Sequence, residues 1–163
     1  MKEPTGQILP GSLFGETLTE LATHSEVIVE IGTWHGEGST RCMANGLVRP
    51  HQVFYTVEQD IDCFNEARSR YVSEKRIVFI WGKALEHLDW LPDHIDLLLL
   101  DGGNRDTDME FEALHSRSDI IALDDTNEAK NRRQRQLLLD WGWTVLADNQ
   151  TDRNGWAIFK RPL

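Results

Sequence analysis

Five acidic residues stand at or near the ends of apolar runs that are typical of buried strands. These residues are Glu30, Glu58, Asp101, Asp124 and Asp125. In an open sheet of parallel strands, ligands bind outside the carboxyl ends of the strands. An unpaired carboxylate in a protein interior is costly, so acids at such positions need partners. Their shared position therefore predicts a binding or catalytic site at one edge of a sheet.

Three glycines follow the first of these apolar runs, in the stretch VIVEIGTWHGEGST. They are Gly32, Gly36 and Gly38, and Ser39 and Thr40 come next, where a helix would begin. Glycines let the backbone turn tightly and approach a ligand closely, and the N-terminus of a helix offers free N–H groups. The alternative is an ordinary strand-to-helix turn that is rich in glycine. Glu58 favours the first interpretation, because it ends the next strand twenty residues after Gly38, where nucleoside-binding sheets hold a ribose diol.

Alternating strands and helices are predicted around these residues, as in an α/β, Rossmann-like three-layer sandwich. The predicted strands cover 27–31, 53–57, 77–81, 95–100 and 120–123, and two antiparallel strands (WTVLAD and GWAIFK) end the chain. The helices are predicted to begin at 16, 39, 60 and 106, with a last one in EAKNRRQRQLLLDWGW. Ser39 and Asp60 are the expected caps, and Met109 and Phe111 (or Leu114) are expected to face inward. Residues 1–163 are predicted to form one domain, in which residues 1–15 are an arm crossing the surface.

The composition limits the classes of partner. The net charge is −10, with 27 acidic and 17 basic side chains. Nucleic acids and anionic membranes bind basic surfaces, so neither is an expected partner. Cys42 and Cys63 lack the spacing of a zinc site or a disulfide framework, and the N-terminus has no apolar run typical of a signal peptide. A cytoplasmic location is expected.

Five motifs in order give the chain a family resemblance. They are EIGTWHGEGST, VEQD, LLLLDGGN, IALDDTN and NGWAIFKR. The chain resembles class I S-adenosylmethionine-dependent methyltransferases, in particular the small O-methyltransferase-like branch with catechol O-methyltransferase and bacterial natural-product and sugar methyltransferases. The resemblance implies a mostly parallel seven-stranded sheet with an antiparallel C-terminal hairpin. It also implies S-adenosylmethionine as cofactor and methyl transfer to a hydroxyl of a small molecule or sugar.

The resemblance also implies which residues bind the methyl donor. They are Glu30, Gly32, Thr33, Trp34, Gly36, Ser39, Glu58, Gln59, Lys83, Ala84 and Asp101. Simpler interpretations stay open for several of them. Glu30 could cap neighbouring N–H groups, Trp34 could be a core aromatic, and Lys83, Ala84 and Leu85 could form a plain turn.

Asp101, Asp124 and Asp125 match the positions at which metal-dependent relatives hold magnesium. Oxygen ligands suit this cation, and a metal would lower the pKa of a bound hydroxyl. Asp101 and Asp125 are therefore the predicted catalytic residues. The alternative is that the three aspartates cap helices or bind the donor. One departure affects the mechanism: Asn104 occupies the place where relatives carry a basic lysine or histidine.

Further predictions concern the alternative function, the basic cluster and the partners. The alternative to an enzyme is a non-catalytic nucleoside- or S-adenosylmethionine-binding subunit, which Asn104 and the short chain would fit. The basic cluster of Lys130, Arg132, Arg133 and Arg135 is interpreted as a solvated helix face, with a rim that binds an anionic acceptor as the alternative. The expected partner is a small-molecule acceptor, and a homo-oligomer is possible because the chain has almost no lid of its own.

Overall fold

A computed structural model describes residues 7–103 and 105–163. The helices are α1 (Leu13–His24), α2 (Ser39–Asn45), α3 (Ile61–Arg70), α4 (Thr107–Leu114) and α5 (Ala129–Asp140). The strands are β1 (Val27–Ile31), β2 (Val53–Glu58), β3 (Ile77–Trp81), β4 (Ile95–Leu100), β5 (Ser118–Asp124), β6 (Thr144–Asn149) and β7 (Trp156–Lys160). Short 3-10 turns follow β3 and α4.

The seven strands form one sheet in the order β3-β2-β1-β4-β5-β7-β6. The pairs from β3 to β5 are parallel, and β7 is antiparallel to both β5 and β6. The predicted fold, a mostly parallel sheet with an antiparallel C-terminal hairpin, is confirmed. The strand order reverses between β1 and β4, and ligands bind at such a switch point in open α/β sheets.

The sheet is buried on both faces, as its continuous apolar strands predict. Leu97, Leu98 and Leu99 of β4 have no exposed surface, and a separate cluster of apolar side chains packs on each side of the sheet. Burial on both faces fixes the register of the strands, which in turn fixes the acids at their ends. Within the described ranges, no helix is long and apolar enough to cross a membrane.

Four details of the structure differ from the local predictions. The first helix begins at Leu13 rather than residue 16, because Ser12 caps it by accepting a hydrogen bond from the N–H of Gly15. Ile8, on the predicted surface arm, is buried, although residues 1–6 of that arm lie outside the described residues.

In α2, Ser39 is the first helical residue rather than the cap. Its hydroxyl donates to Glu30, which leaves Gly38 at the cap position without a side-chain bond. In α4, Phe111 and Leu114 face inward, whereas Met109 is exposed. The Asp60 cap of α3 is confirmed, because its carboxylate accepts from the N–H groups of Asp62 and Cys63.

Candidate functional site

An open cavity of about 1040 Å³ lies at the carboxyl ends of β1, β2, β4 and β5. Its wall includes Ile31, Gly32, Thr33, Trp34, Gly38, Ser39, Glu58, Gln59, Lys83, Ala84, Asp101, Glu110, Asp124 and Asp125. Most of the side chains predicted for a site therefore meet around one space. Its volume is sufficient for a ligand larger than a nucleoside.

The wall formed by Gly32, Thr33, Trp34, Glu58 and Gln59 is called here the glycine-loop wall. Glu58 is its central side chain. One carboxylate oxygen accepts from the Trp34 N–H at 2.7 Å, and the other accepts from the Asp60 N–H at 2.8 Å. Each oxygen of a carboxylate has two acceptor sites, so the backbone fixes the group and leaves acceptor capacity for a ligand.

Two residues of the glycine-loop wall have left-handed backbone conformations. Gly32 has a φ of 102°, and a Cβ built on it would lie 2.5 Å from the carbonyl oxygen of Asp101. Trp34 has a φ of 54°, which is unusual for a residue with a side chain. Trp34 is 55% exposed and borders the cavity, so the alternative of a core aromatic is wrong.

Glu30 is completely buried and does not belong to the cavity wall. It accepts hydrogen bonds from the hydroxyl groups of Ser39 at 2.5 Å, Thr56 at 2.6 Å and Thr40 at 2.7 Å. Burial raises the pKa of this carboxyl to about 7, although these three bonds act in the opposite direction. Glu30 therefore joins the start of α2 to β1 and β2 from behind, through hydroxyls rather than the backbone N–H groups considered from sequence.

The remaining predicted donor residues fall into two groups. Gly36 lies outside the cavity wall, because its backbone packs against α3 and its carbonyl accepts from the Tyr71 hydroxyl at 2.6 Å. Lys83 and Ala84 border the cavity. The Lys83 ammonium donates to Asp106 at 2.9 Å. Leu85 is not part of the wall.

The carboxylates of Asp101, Asp124 and Asp125 form a second part of the wall, called here the aspartate wall. One oxygen from each lies within 4.8 Å of the other two. The Lys130 ammonium donates to Asp101 Oδ1 at 2.6 Å and to Asp125 Oδ2 at 3.1 Å. Its side chain is only 7% exposed. The interpretation of this lysine as part of a solvated helix face is therefore wrong.

The other two contacts of the aspartate wall come from the hairpin. Arg153 forms an ion pair with Asp124 Oδ1 at 2.5 Å, and the Asn154 amide donates to Asp125 Oδ1 at 3.1 Å. Asp125 and Arg153 have φ values of 56° and 52°. Strained residues of this kind persist where the surrounding structure holds them, and they cluster at functional sites.

A magnesium ion does not fit the aspartate wall as it is arranged. The protein itself brings two positive charges to the three carboxylates. The Lys130 ammonium is bonded directly to Asp101 Oδ1 and Asp125 Oδ2, and Arg153 pairs with Asp124 Oδ1, so one oxygen of each carboxylate already contacts a cation of the protein. A divalent cation that used Asp101 Oδ1 and Asp125 Oδ2 would have to take the place of the Lys130 ammonium.

The contact between Lys130 and Asp101 favours the charged form of both groups. Burial lowers the pKa of Lys130, but its contacts with Asp101 and Asp125 outweigh burial and raise it. Burial also raises the pKa of Asp101, which would favour a neutral carboxyl. A quarter of the Asp101 side chain is exposed, however, and the 2.6 Å contact favours the charged form on both sides.

Glu110 of α4 is a site residue that the sequence did not reveal. Its side chain is 5% exposed and borders the cavity, and its Oε2 has no hydrogen-bond partner among the described residues. Burial raises the pKa of Glu110 to about 7. Its helical neighbours gave no signal, because an acid in a short amphipathic helix normally faces solvent.

The remaining predictions concern Asn104 and the arginines of the basic cluster. Asn104, which replaces the usual basic residue, lies outside the described residues. Arg132 and Arg133 are exposed, as a solvated face requires, and Arg135 pairs with Asp148 of β6.

A family model described as a methyltransferase domain matches residues 29–126, more than half of the chain and most of the cavity wall. The chain belongs to this methyltransferase family. The family resemblance predicted from the five motifs is thereby confirmed. No curated protein matches the chain significantly.

Solved structures of methyltransferases share the fold. An O-methyltransferase from Bacillus cereus, in complex with SAH, is 21% identical, with a TM-score of 0.77 over 97% of this chain and 84% of that one. TomG from Streptomyces achromogenes, an O-methyltransferase of tomaymycin synthesis in complex with SAM, is 20% identical, with a TM-score of 0.73 over 90% and 78%. A methyltransferase from Geobacter sulfurreducens is 16% identical, with a TM-score of 0.75 over 94% and 80%.

Proposed function

We propose that this methyltransferase uses S-adenosylmethionine to methylate a hydroxyl group of a small molecule. The observation that supports a nucleoside-containing donor is the position of Glu58. Its carboxylate borders the cavity beside the glycine loop, and two backbone N–H groups hold it in place. A fixed carboxylate can accept hydrogen bonds from both hydroxyls of a ribose.

The glycine-loop wall would bind and orient the donor. Glu58 would accept the ribose hydroxyls, Trp34 borders the cavity beside it, and Lys83 and Ala84 border the space just after β3. S-adenosylmethionine supplies an activated methyl group on a sulfonium centre. The protein therefore has to align the two reactants and accept one proton from the hydroxyl.

Glu110 is the proposed proton acceptor. The residue borders the same cavity, and its buried Oε2 has no hydrogen-bond partner among the described residues, so it is not committed to another group of the protein. A carboxyl with a pKa of about 7 is a more effective general base at neutral pH than an ordinary carboxylate. Glu110 would thereby perform the function of the basic residue that relatives have at the position of Asn104.

The predicted magnesium is not part of this proposal, because Lys130 and Arg153 already neutralise two charges of the aspartate wall. The catalytic roles predicted for Asp101 and Asp125 stay predictions. Both border the cavity, so either can accept a hydrogen bond from a bound ligand.

The acceptor is proposed to be a small molecule because the cavity is of suitable size and the net charge of −10 disfavours nucleic acids and anionic membranes. Homo-oligomerisation and a cytoplasmic location stay predictions.

Titration calorimetry with S-adenosylmethionine tests the donor site. Glu58→Ala should weaken binding by about 1–3 kcal/mol, because the hydroxyls lose a charged acceptor. Asp62→Ala, which removes an exposed acid from the first turn of α3, is the matched control and should bind normally. Unchanged affinity in Glu58→Ala would remove Glu58 from the site.

Transfer of a radiolabelled methyl group to a panel of hydroxyl-bearing acceptors tests the activity. Product formation supports an O-methyltransferase. Donor binding without transfer to any acceptor would favour the alternative function, a non-catalytic S-adenosylmethionine-binding subunit.

A further inference from the structure

Lys130 is fixed at the junction of two strand ends rather than placed there by a flexible side chain alone. The amide of the next residue, Asn131, donates to the carbonyl of Leu100 at 3.1 Å and to that of Asp124 at 2.6 Å. These carbonyls immediately precede Asp101 and Asp125 in the chain. The start of α5 is thus bonded to the ends of both β4 and β5, and Lys130 lies between the two carboxylates.

The aspartate wall is complete without an added ion. Lys130 donates to Asp101 and Asp125, Asn154 donates to the second oxygen of Asp125, and Arg153 pairs with Asp124. Every carboxylate of the wall therefore has a charged partner from the protein. An ammonium bonded to two carboxylates occupies the same kind of position as a bridging metal ion, with one positive charge instead of two.

We propose that Lys130 is a positioning residue that takes the place of a divalent cation in this methyltransferase. The bound ammonium holds Asp101 and Asp125 in the orientation in which they border the cavity, and it excludes a metal from the carboxylates. One consequence of this inference, that methyl transfer needs no metal, rests on the proposed function. The exclusion of the metal is a property of the folded protein alone.

Binding of Mn²⁺, followed by electron paramagnetic resonance of the free ion, tests this proposal without an activity assay. The wild-type protein should show no binding of Mn²⁺ that Asp125→Ala abolishes, whatever a separate cluster of His94, Asp96 and Asp119 binds. Lys130→Met, which keeps the length of the side chain and removes its charge, should bind Mn²⁺ at least tenfold more tightly. Arg133→Met is the matched control, because Arg133 lies on the exposed face of α5 and pairs with Asp108. It should behave as the wild type does.

A further variant separates charge from folding. Lys130→Arg keeps the positive charge, so it should exclude Mn²⁺ as the wild type does. Tight binding of Mn²⁺ to the wild-type protein, abolished by Asp125→Ala, would overturn the proposal even if Lys130→Met does not fold. A folded Lys130→Met that binds no more Mn²⁺ than the wild type would also overturn it.

The outcome is independent of the test of the donor site. If S-adenosylmethionine does not bind, the proposed function fails while the Mn²⁺ result still stands. If the donor binds and the wild type also holds Mn²⁺ at the three aspartates, only the role of Lys130 fails.

Discussion

The two walls of the cavity are built in different ways. The glycine-loop wall depends on the backbone: Gly32 has a conformation that favours glycine, and two N–H groups hold Glu58. The aspartate wall depends on side chains, because Lys130 and Arg153 hold its carboxylates. Lys130 is 29 residues from Asp101 in the chain, and Arg153 is 29 residues from Asp124. A wall built from local backbone geometry can be recognised in a short motif, whereas a wall built from distant ion pairs cannot.

The largest expected effect tests the dependence of the glycine-loop wall on its backbone. Gly32→Ala should lower the free energy of unfolding by about 3–5 kcal/mol, because the new Cβ meets the Asp101 carbonyl and the conformation is strained. The clash is with the neighbouring strand end rather than with a ligand. Chemical denaturation measures the change.

Gly103→Ala is the control in the next loop, since a Cβ there has its nearest neighbour at 3.5 Å, an ordinary contact. It should change the stability by less than about 1 kcal/mol. Equal stability of the two variants would show that the glycine loop does not pack against the end of β4 as described.

The sequence was informative wherever a short-range rule operates. Apolar runs followed by acids located the strand ends, and the spacing from Gly38 to Glu58 located one side of the cavity. The need of Asp101, Asp124 and Asp125 for partners was also evident, since buried carboxylates are costly alone. The sequence did not show which residues these partners are, because Lys130 stands in a basic run whose other members are on or near the surface. Its position as the first cation after Asp125, five residues on, was the available signal.

A second prediction tests Glu110, the proposed proton acceptor, which belongs to neither the glycine-loop wall nor the aspartate wall. Glu110→Gln should lower kcat at least about 100-fold with little change in donor affinity, because a general base contributes about that much or more. Glu112→Gln, two residues along α4 and exposed, should have normal kinetics. Calorimetry and a methyl-transfer assay give the two quantities. A rate within about twofold of the wild type would assign proton transfer to another group.

The pH dependence of kcat sharpens this second prediction. Burial and Asp106 raise the pKa of Glu110, whereas Lys130 and Lys83 lower it, and the result is about 7. A base must be ionised to accept a proton, so kcat should rise with pH through about 7. A rate that falls over this interval would contradict the role of Glu110.

The smallest expected effect concerns Glu30, which supports the glycine-loop wall from behind. Its pKa is raised from 4.5 to about 7 in the folded protein, chiefly by burial. Because the folded state binds the proton more tightly than the unfolded state, Glu30 contributes stability below pH 4.5 and loses that contribution as the pH rises through about 7. Glu30→Gln cannot ionise but can still form hydrogen bonds with the surrounding hydroxyls. The stability of the wild type relative to this variant should therefore fall by about 2 kcal/mol between pH 5 and pH 8. Glu16→Gln, at an exposed position in the first turn of α1, is the control, and its difference from the wild type should not change over this range. A wild-type advantage that grows with pH would mean that Glu30 is held as a carboxylate, and that its three hydroxyl donors outweigh its burial.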